Sequence, residues 1–398
     1  MTRYFLEINS DKIKLLFLAW TIPPSANAMA IITRNLLKWF NADEVIMMGQ
    51  IPFKGRIDVK DINHIHKIKI PNYFNTSLIW RVQPILEPFF VLPYLIVKSV
   101  LTHFQQRFTA IYVAFPNATF LLAGFILSKI LRIPLYPHFH NLYPETRKNI
   151  LSRFIAEKFQ HIIFAHSEMI LCMSKGMKDY YRKKYRINNV VTLLHPINYN
   201  KVSVPLSRKR KDSTYKIGLA GNINYTVYNP LIKIIENIGD DSNFKIKLHT
   251  PTDIKSIKHG LIDSWANNIE VYDAKTQNIL LSSLNACSVL ILALDNRIGE
   301  FDEEDFMTQF PTRTIEMLIS GTPILLLCPK EYYIAKFFSR WNCGKVVDLK
   351  DVVKLKKVLM ELCTNEKQKE IYIENAFRAS EQFNGEKIAQ TFRQLIKG

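Results

Sequence analysis

Residues 110–140 read AIYVAFPNATFLLAGFILSKILRIPLYPHFH. Ala110–Phe115 is an unbroken apolar and aromatic run without polar alternation, the pattern of a strand buried on both faces of a parallel sheet. Ala118–Leu131 then carries apolar residues at helical spacing, and Pro134–His140 is a second strand-like run. Strand, helix and strand in one short stretch make a βαβ unit. The apolar stretch Thr119–Leu131 falls short of the roughly 20 residues a membrane span needs, so it reads as a buried core helix.

The same alternation extends outward. Lys14–Trp20, Glu44–Met48, Met169–Met173 and Val190–His195 have strand character, while Asn27–Phe40, Leu151–Ala165 and Lys175–Lys184 have helical patterns. A basic, serine-containing stretch, Lys201–Lys216 (KVSVPLSRKRKDSTYK), has the composition of a linker. Beyond it the alternation restarts with strand-like runs at Ile217–Ala220, Phe244–His249, Ile269–Tyr272, Val289–Leu294, Ile324–Leu327 and Val346–Asp348. The expectation is an α/β protein of two Rossmann-like αβα sandwich domains facing across a cleft. The first spans residues 1–200, the linker 201–216 and the second domain 217–365. Residues 366–398 form a long charged helix expected to pack back on the first domain. Ligands of such sheets bind outside the carboxyl ends of the strands.

Composition narrows the class. With 398 residues, 48% hydrophobic, and only 13 Gly and 18 Pro, the chain is neither collagen-like nor disordered. Five scattered cysteines, Cys172, Cys287, Cys328, Cys343 and Cys363, form no CxxC pair, which argues against a disulfide scaffold and a cysteine zinc site. The first residues carry Glu7 and Asp11 ahead of a short apolar run, so they read as the lead-in to a strand, and the expected location is cytoplasmic. Residues 1–200 hold 25 Lys and Arg against 11 Asp and Glu, a net +14, and residues 201–398 hold 28 against 24, a net +4, together the +18 of the whole chain. A field this one-sided points to an anionic surface or acidic ligand on the first half, or to a solvated basic face. Pro84–Leu101 (PILEPFFVLPYLIVKSVL) is interrupted by Glu87, Pro88, Pro93 and Lys98, so it reads as lying on a bilayer surface and not as crossing it.

The sharpest chemical signal is Phe310–Leu325, FPTRTIEMLISGTPIL. Pro311 suits the first helical position, Gly321 the C-terminal cap, and Pro323 the start of a strand. Arg313 and Glu316 are three apart and Thr312 and Glu316 four apart, so they share a face at the helix start. Two readings stand. Exposed N–H groups with Arg313 would take a diphosphate while Glu316 accepts from a diol; alternatively, this is an ordinary capped helix with an internal Arg–Glu ion pair.

The segment resembles the donor-binding helix of GT-B glycosyltransferases, especially the family-4-like retaining group. The likeness extends to TIPPSANAMAIITRNLLKWF, RIPLYPHFHNLYPE, IIFAHSEMILCMSKGMKDYY and YKIGLAGNINYTVYNPLIKIIENI, in the order that group shows. The resemblance implies that Glu316 holds the donor ribose, that Arg313 binds phosphate, and that Thr312 with the N–H groups after it lines the diphosphate. It places Gly221 and Asn222 in the loop close to phosphate, His140 (or His138, two residues earlier on the same strand) near the transferring sugar, and Ser25 and Asn27 in the acceptor-side loop. The sequence departs from the pattern at Thr308, where the group has a first glutamate, and at Asn27–Ala28, where it has two glycines. Basic residues usual after the donor-domain opening are also missing, so phosphate clamping falls to Arg313, or to Arg297 or Lys233.

The acidic run Glu300–Asp305 (EFDEED) lacks Asp-x-Asp and reads as a solvated loop, and no metal or other cofactor is expected. The implied activity is transfer of a sugar from a nucleotide-diphosphate sugar to a glycan or lipid-linked acceptor in surface polysaccharide synthesis, with retention. The expected setting is peripheral, at an anionic membrane surface on the inner face of the cell membrane, without nucleic acid. Two rivals are a GT-B-fold sugar-nucleotide 2-epimerase and a non-catalytic membrane- or nucleic-acid-binding relative.

Overall fold

The computed structural model describes residues 13–25, 27–51, 62–71, 83–198, 214–221, 225–238, 241–250, 269–272, 277–294 and 303–397. The chain divides into two compact units, Met1–Asn198 with Phe383–Gly398, and Tyr199–Gln382. In the first unit the apolar runs become β1 (Leu15–Thr21), β2 (Val45–Gln50), β4 (Ala110–Phe115), β5 (Leu135–Phe139), β6 (Ile170–Cys172) and β7 (Val190–Thr192), with β3 (His66–Lys69) at the edge. Every described pairing is parallel, in the order β3-β2-β1-β4-β5-β6-β7. All six residues of β2 and of β4 are buried, as two-sided coverage requires. The half-exposed β3, HKIK, gives no apolar run, and the sequence reading missed it.

Helices α1 (Ala28–Leu37), α2 (Gln83–Gln106), α3 (Ala118–Leu131), α4 (Ile150–His166) and α5 (Lys175–Tyr185) cover this sheet. Leu16, Leu18, Ile111, Val113 and Leu135 face one core with Val91 and Leu95 of α2, Phe120 and Leu127 of α3, and Ile163 and Phe164 of α4. The alternate residues Leu15, Phe17, Tyr112 and Tyr136 face the other, with Leu36 and Leu37 of α1. Neighbours along a strand thus point to opposite faces. Pro84–Leu101 is part of α2; Pro88 and Pro93 each delete an intrahelical bond, so α2 depends on the packing of its buried side. Among the described residues no helix is long and apolar enough to cross a membrane.

The second unit repeats the plan with β8 (Tyr215–Ala220), β9 (Phe244–His249), β10 (Ile269–Tyr272), β11 (Val289–Ala293), β12 (Ile324–Leu327) and β13 (Lys345–Val347), all parallel, in the order β10-β9-β8-β11-β12-β13. Its helices are α6 (Tyr225–Ile238), α7 (Gln277–Asn285), α8 (Glu303–Thr308), α9 (Arg313–Ile319), α10 (Tyr333–Trp341), α11 (Leu355–Thr364) and α12 (Glu366–Ser380). Residues 201–213 of the basic linker lie outside the described residues, and its last two, Tyr215 and Lys216, begin β8.

The helix expected from Glu366 to Lys397 is two helices. α12 ends at Ser380 and stays with the second unit; after a short 3-10 turn, α13 (Gly385–Lys397) belongs to the first. Where the chain returns, Ile197 N donates to Phe383 O at 2.8 Å and Gly385 N to Ile197 O at 3.1 Å. A β-carbon on Gly385 would lie 2.2 Å from Asn198 Oδ1, so the close approach requires glycine. On α13, Phe392 packs edge-on against Phe40 and Tyr112, and Arg393 Nη2 bonds Glu44 Oε2 at 2.8 Å.

Candidate functional site

Each sheet reverses its winding at one place. In the second unit the chain builds β8, β9 and β10 outward, then returns to lay β11 on the other side of β8. The carboxyl ends of β8 and β11 therefore diverge into the crevice where doubly wound sheets bind ligands. Gly221 follows β8 with φ +115°, a left-handed conformation that favours glycine. A β-carbon there would sit 2.6 Å from Arg313 Nη1, so the guanidinium lies directly on this backbone. Arg313 Nη2 donates to Ala293 O, the last residue of β11, at 3.3 Å. One arginine thus touches the ends of both strands that flank the reversal.

That arginine is electrostatically incomplete. Its Nε is buried without a hydrogen-bond partner, and among the described residues it makes no ion pair. Burial pushes its pKa down to about 10 from the usual 12.5. The Arg313–Glu316 ion pair, the bland alternative for this segment, is not formed. Glu316 sits half-buried in the first turn of α9. Among the described residues its one polar contact is the Ala293 carbonyl, so a positive charge with an enclosed Nε stands here without a neutralising partner.

The start of α9 differs from expectation. Pro311 precedes the first helical residue, Arg313, by two positions, and the N-cap Thr312 makes no side-chain capping bond. Thr314 N and Ile315 N donate to Pro311 O and Thr312 O at 2.9 and 3.1 Å. Two of the N–H groups expected to line a diphosphate are therefore used in the turn, and attraction for an anion falls chiefly to the guanidinium. Gly321, with φ +73°, ends the helix as expected. Asn222 and Arg297 lie outside the described residues. Lys233 is half-buried in the interior of α6.

The acidic run is only partly described, and its described part is helix, a correction to the expected solvated loop. Glu303, Glu304 and Asp305 form the first turn of α8, where carboxylates favour the helix dipole. Asp305 is buried and accepts from Gln309 Nε2, and Thr308 Oγ1 donates to Asp305 O at 3.0 Å. Among the described residues no group of His, Cys, Asp or Glu is placed to hold a metal ion.

In the first unit His138 and His140 lie side by side, ring centroids 4.3 Å apart, as strand periodicity requires for residues two apart. Tyr112 OH bonds His138 Nδ1 at 2.6 Å, and His140 Nδ1 shares a hydrogen with His195 Nε2 at 2.8 Å. The sequence reading missed Tyr112 and His195, although His195 closes the expected run Val190–His195. All three imidazoles are buried. Burial lowers the pKa of His138 to about 3 and of His195 to about 4, and that of His140 falls well below 6.5 with its two histidine neighbours adding to the shift. The trio is a neutral hydrogen-bonding cluster at pH 7.

The loop after His140 is held by a buried carboxylate: Glu145 accepts from Tyr180 OH at 2.8 Å and pairs with Lys184 Nζ at 2.6 Å. Of the expected acceptor-loop residues, Asn27 is the N-cap of α1, its Oδ1 accepting from Ala30 N at 2.9 Å. Ser25 is buried beside it, 3.5 Å from Asn27 N. The structure thus brings Gly221 and Arg313 together with the end of β11, and joins His140 to His138 and His195.

No protein-family model matches the sequence, and no curated protein matches it. Solved structures do match in fold. Sucrose-phosphate synthase from Thermosynechococcus elongatus superposes with a TM-score of 0.69 at 12% identity, over 96% of this chain and 98% of that one. Anabaena HepE in complex with UDP gives 0.69 at 15% identity, over 96% and 99%, and its complex with UDP-glucose 0.65. A glycosyltransferase from Rickettsia africae gives 0.66 at 12% identity, over 97% and 98%. At these identities the likeness is one of fold: an α/β chain with the two Rossmann-like domains of the GT-B class.

Proposed function

We propose that the protein is a glycosyltransferase that takes a sugar from a nucleotide-diphosphate donor and passes it, with retention, to a glycan or lipid-linked acceptor in surface polysaccharide synthesis. The observation that carries this is Arg313, half-buried with its Nε enclosed and unpartnered, making no ion pair among the described residues and lying on Gly221 at the winding reversal of the second sheet. A diphosphate would supply the missing charge. As the bond to the sugar breaks, negative charge grows on the departing diphosphate, and a preorganised cation stabilises that state more than the bound donor. Glu316 would accept from the ribose hydroxyls. His140, neutral and held through Nδ1 by His195, would lie near the transferring sugar as a hydrogen-bonding and not a charged group. Charge neutralisation by arginine needs no metal. The likeness to HepE, solved with UDP and with UDP-glucose, supports a uridine nucleotide as the first donor to try. The basic first half supports a peripheral position on the inner face of the cell membrane, where a lipid-linked acceptor would be met.

Incubation with a panel of nucleotide-diphosphate sugars tests this. Donor hydrolysis or transfer is expected, reduced about a hundredfold or more in Arg313→Ala, the scale for losing one such charge-stabilising donor. An isomerised nucleotide sugar would assign the 2-epimerase activity instead. No turnover and no nucleotide binding with any donor would overturn the transferase reading.

A further inference from the structure

The buried sides of α2, α3 and α4 share one core on one face of the first sheet, so their outer sides form one surface. α3 lies between the other two: it packs on α2, and its Phe125 meets Phe159 and His166 of α4. That outer surface is unusually apolar. On α2, Phe89, Pro93, Val97, Leu101 and Phe104 are exposed, the last four at spacings of four, four and three, a single stripe opposite the buried Val91 and Leu95. Phe104 is 68% and Leu101 56% exposed. On α4, Ile150, Leu151, Phe154, Ile155 and Ile162 line the side opposite the buried Ala156, Ile163 and Phe164; Ile150 is 88% exposed. Large side chains on two helices, aligned and in water, exceed the single exposed residues normal for a surface.

Charge on this surface has one sign. α2, α3 and α4 expose Lys98, Lys129 and Lys158, with Arg107 and Arg132 just past the ends of α2 and α3, and Lys158 Nζ lies 5.4 Å from the centre of the exposed Phe154 ring. Residues 83–166 contain only three acids: Glu87 and Glu145 are buried, and Glu157 is bridged to Lys184 at 3.3 Å. A second copy docking symmetrically would set these cations against their own kind. Anionic headgroups would pair with them while the aromatic and aliphatic side chains enter the acyl boundary, the two combined signals that peripheral attachment requires.

We propose that the outer face of α2, α3 and α4 is a membrane-docking surface for an anionic lipid bilayer. This rests on the peripheral location inferred above and names the surface responsible. The test is co-sedimentation of the full chain with vesicles of phosphatidylcholine alone and with 30% phosphatidylglycerol, with Val97→Ser/Leu101→Ser/Ile150→Ser/Phe154→Ser and Lys98→Glu/Lys129→Glu/Lys158→Glu as variants. Wild-type protein should bind the anionic vesicles and release as salt rises. Both variants, melting as wild type, should bind at least tenfold more weakly, with donor hydrolysis unchanged. If they bind like wild type, this surface is wrong and another basic region holds the membrane. Wild-type protein that ignores both vesicles overturns the surface and the peripheral location together. A wild-type dimer made monomeric by the serine variant would make the occupant a second copy and overturn the proposal. None of these outcomes bears on nucleotide binding, so the transferase reading stands or falls separately.

Discussion

A guanidinium enclosed without an anion costs stability in the free protein, because its lost hydration is only partly replaced by one carbonyl. Arg313, with its Nε buried and no ion pair among the described residues, approaches that case, which leads to two effects of opposite sign. Arg313→Met should leave the melting temperature unchanged or raise it, while calorimetric titration with UDP shows affinity lost by tenfold or more. A lower melting temperature with intact affinity would mean that the arginine holds the fold and not a ligand. Gly221→Ala is predicted to mimic this loss, since its methyl meets Arg313 Nη1 and the backbone φ disfavours it. The buried histidines set the acid limit. Their folded pKa values lie below the ordinary 6.5, so between about pH 6.5 and 4 the unfolded chain binds protons that the folded one refuses, and stability falls as pH falls. Each fully buried imidazole should cost about 2 kcal/mol between pH 7 and pH 5. Urea midpoints across that range should fall steeply for the wild type and less steeply for His195→Gln; equal slopes would mean the imidazole is not held neutral.

At the scale of elements, Asn27 shows how a residue picked from a loop pattern can belong to a helix. Its side chain caps α1, so Asn27→Ala should cost about 1 kcal/mol, and Asn27→Ser, another good cap, should restore both stability and activity. Activity lost in the serine variant at normal stability would give Asn27 a contact with acceptor. Asp305 shifts similarly: because it is buried and bonded to Gln309, Asp305→Asn should lower the melting temperature, while activity survives EDTA. Chelation that abolishes turnover, restored by manganese, would give the acidic run a metal. The strands were legible because apolar runs such as Val289–Ala293 need no partner to be recognised, and the alternation with helices followed. β3 was not, because an edge strand can be polar. Gly221 after β8 and Arg313 at the start of α9 were legible as residue types at those positions. Their contact, the turn bonds that use Thr314 N and Ile315 N, and the meeting of His195 with His140 across 55 positions depend on tertiary packing that no local pattern records.

On the scale of the whole chain, the first unit is assembled from two distant pieces. Phe392 is fully buried between α1 and the sheet, and Arg393 links α13 to Glu44. Phe392→Ala should therefore destabilise by about 3–5 kcal/mol, the usual range for deleting a buried aromatic ring. Hydrogen exchange should localise that loss to β1, β4 and α1 while β8 and β11 keep their protection. A uniform loss would mean that the two units unfold together. The pairing of Ile197 with Phe383 and Gly385 has a further consequence during synthesis. Chain emerges from the ribosome in order, at roughly 5–20 residues per second. The unit made first must wait some ten to forty seconds, while about 185 further residues are translated, for the helix that covers one side of its sheet. Until then Tyr112, Phe40 and Leu37 lack the Phe392 ring that covers them in the finished fold, so the second unit, encoded later, is the earlier of the two to be finished.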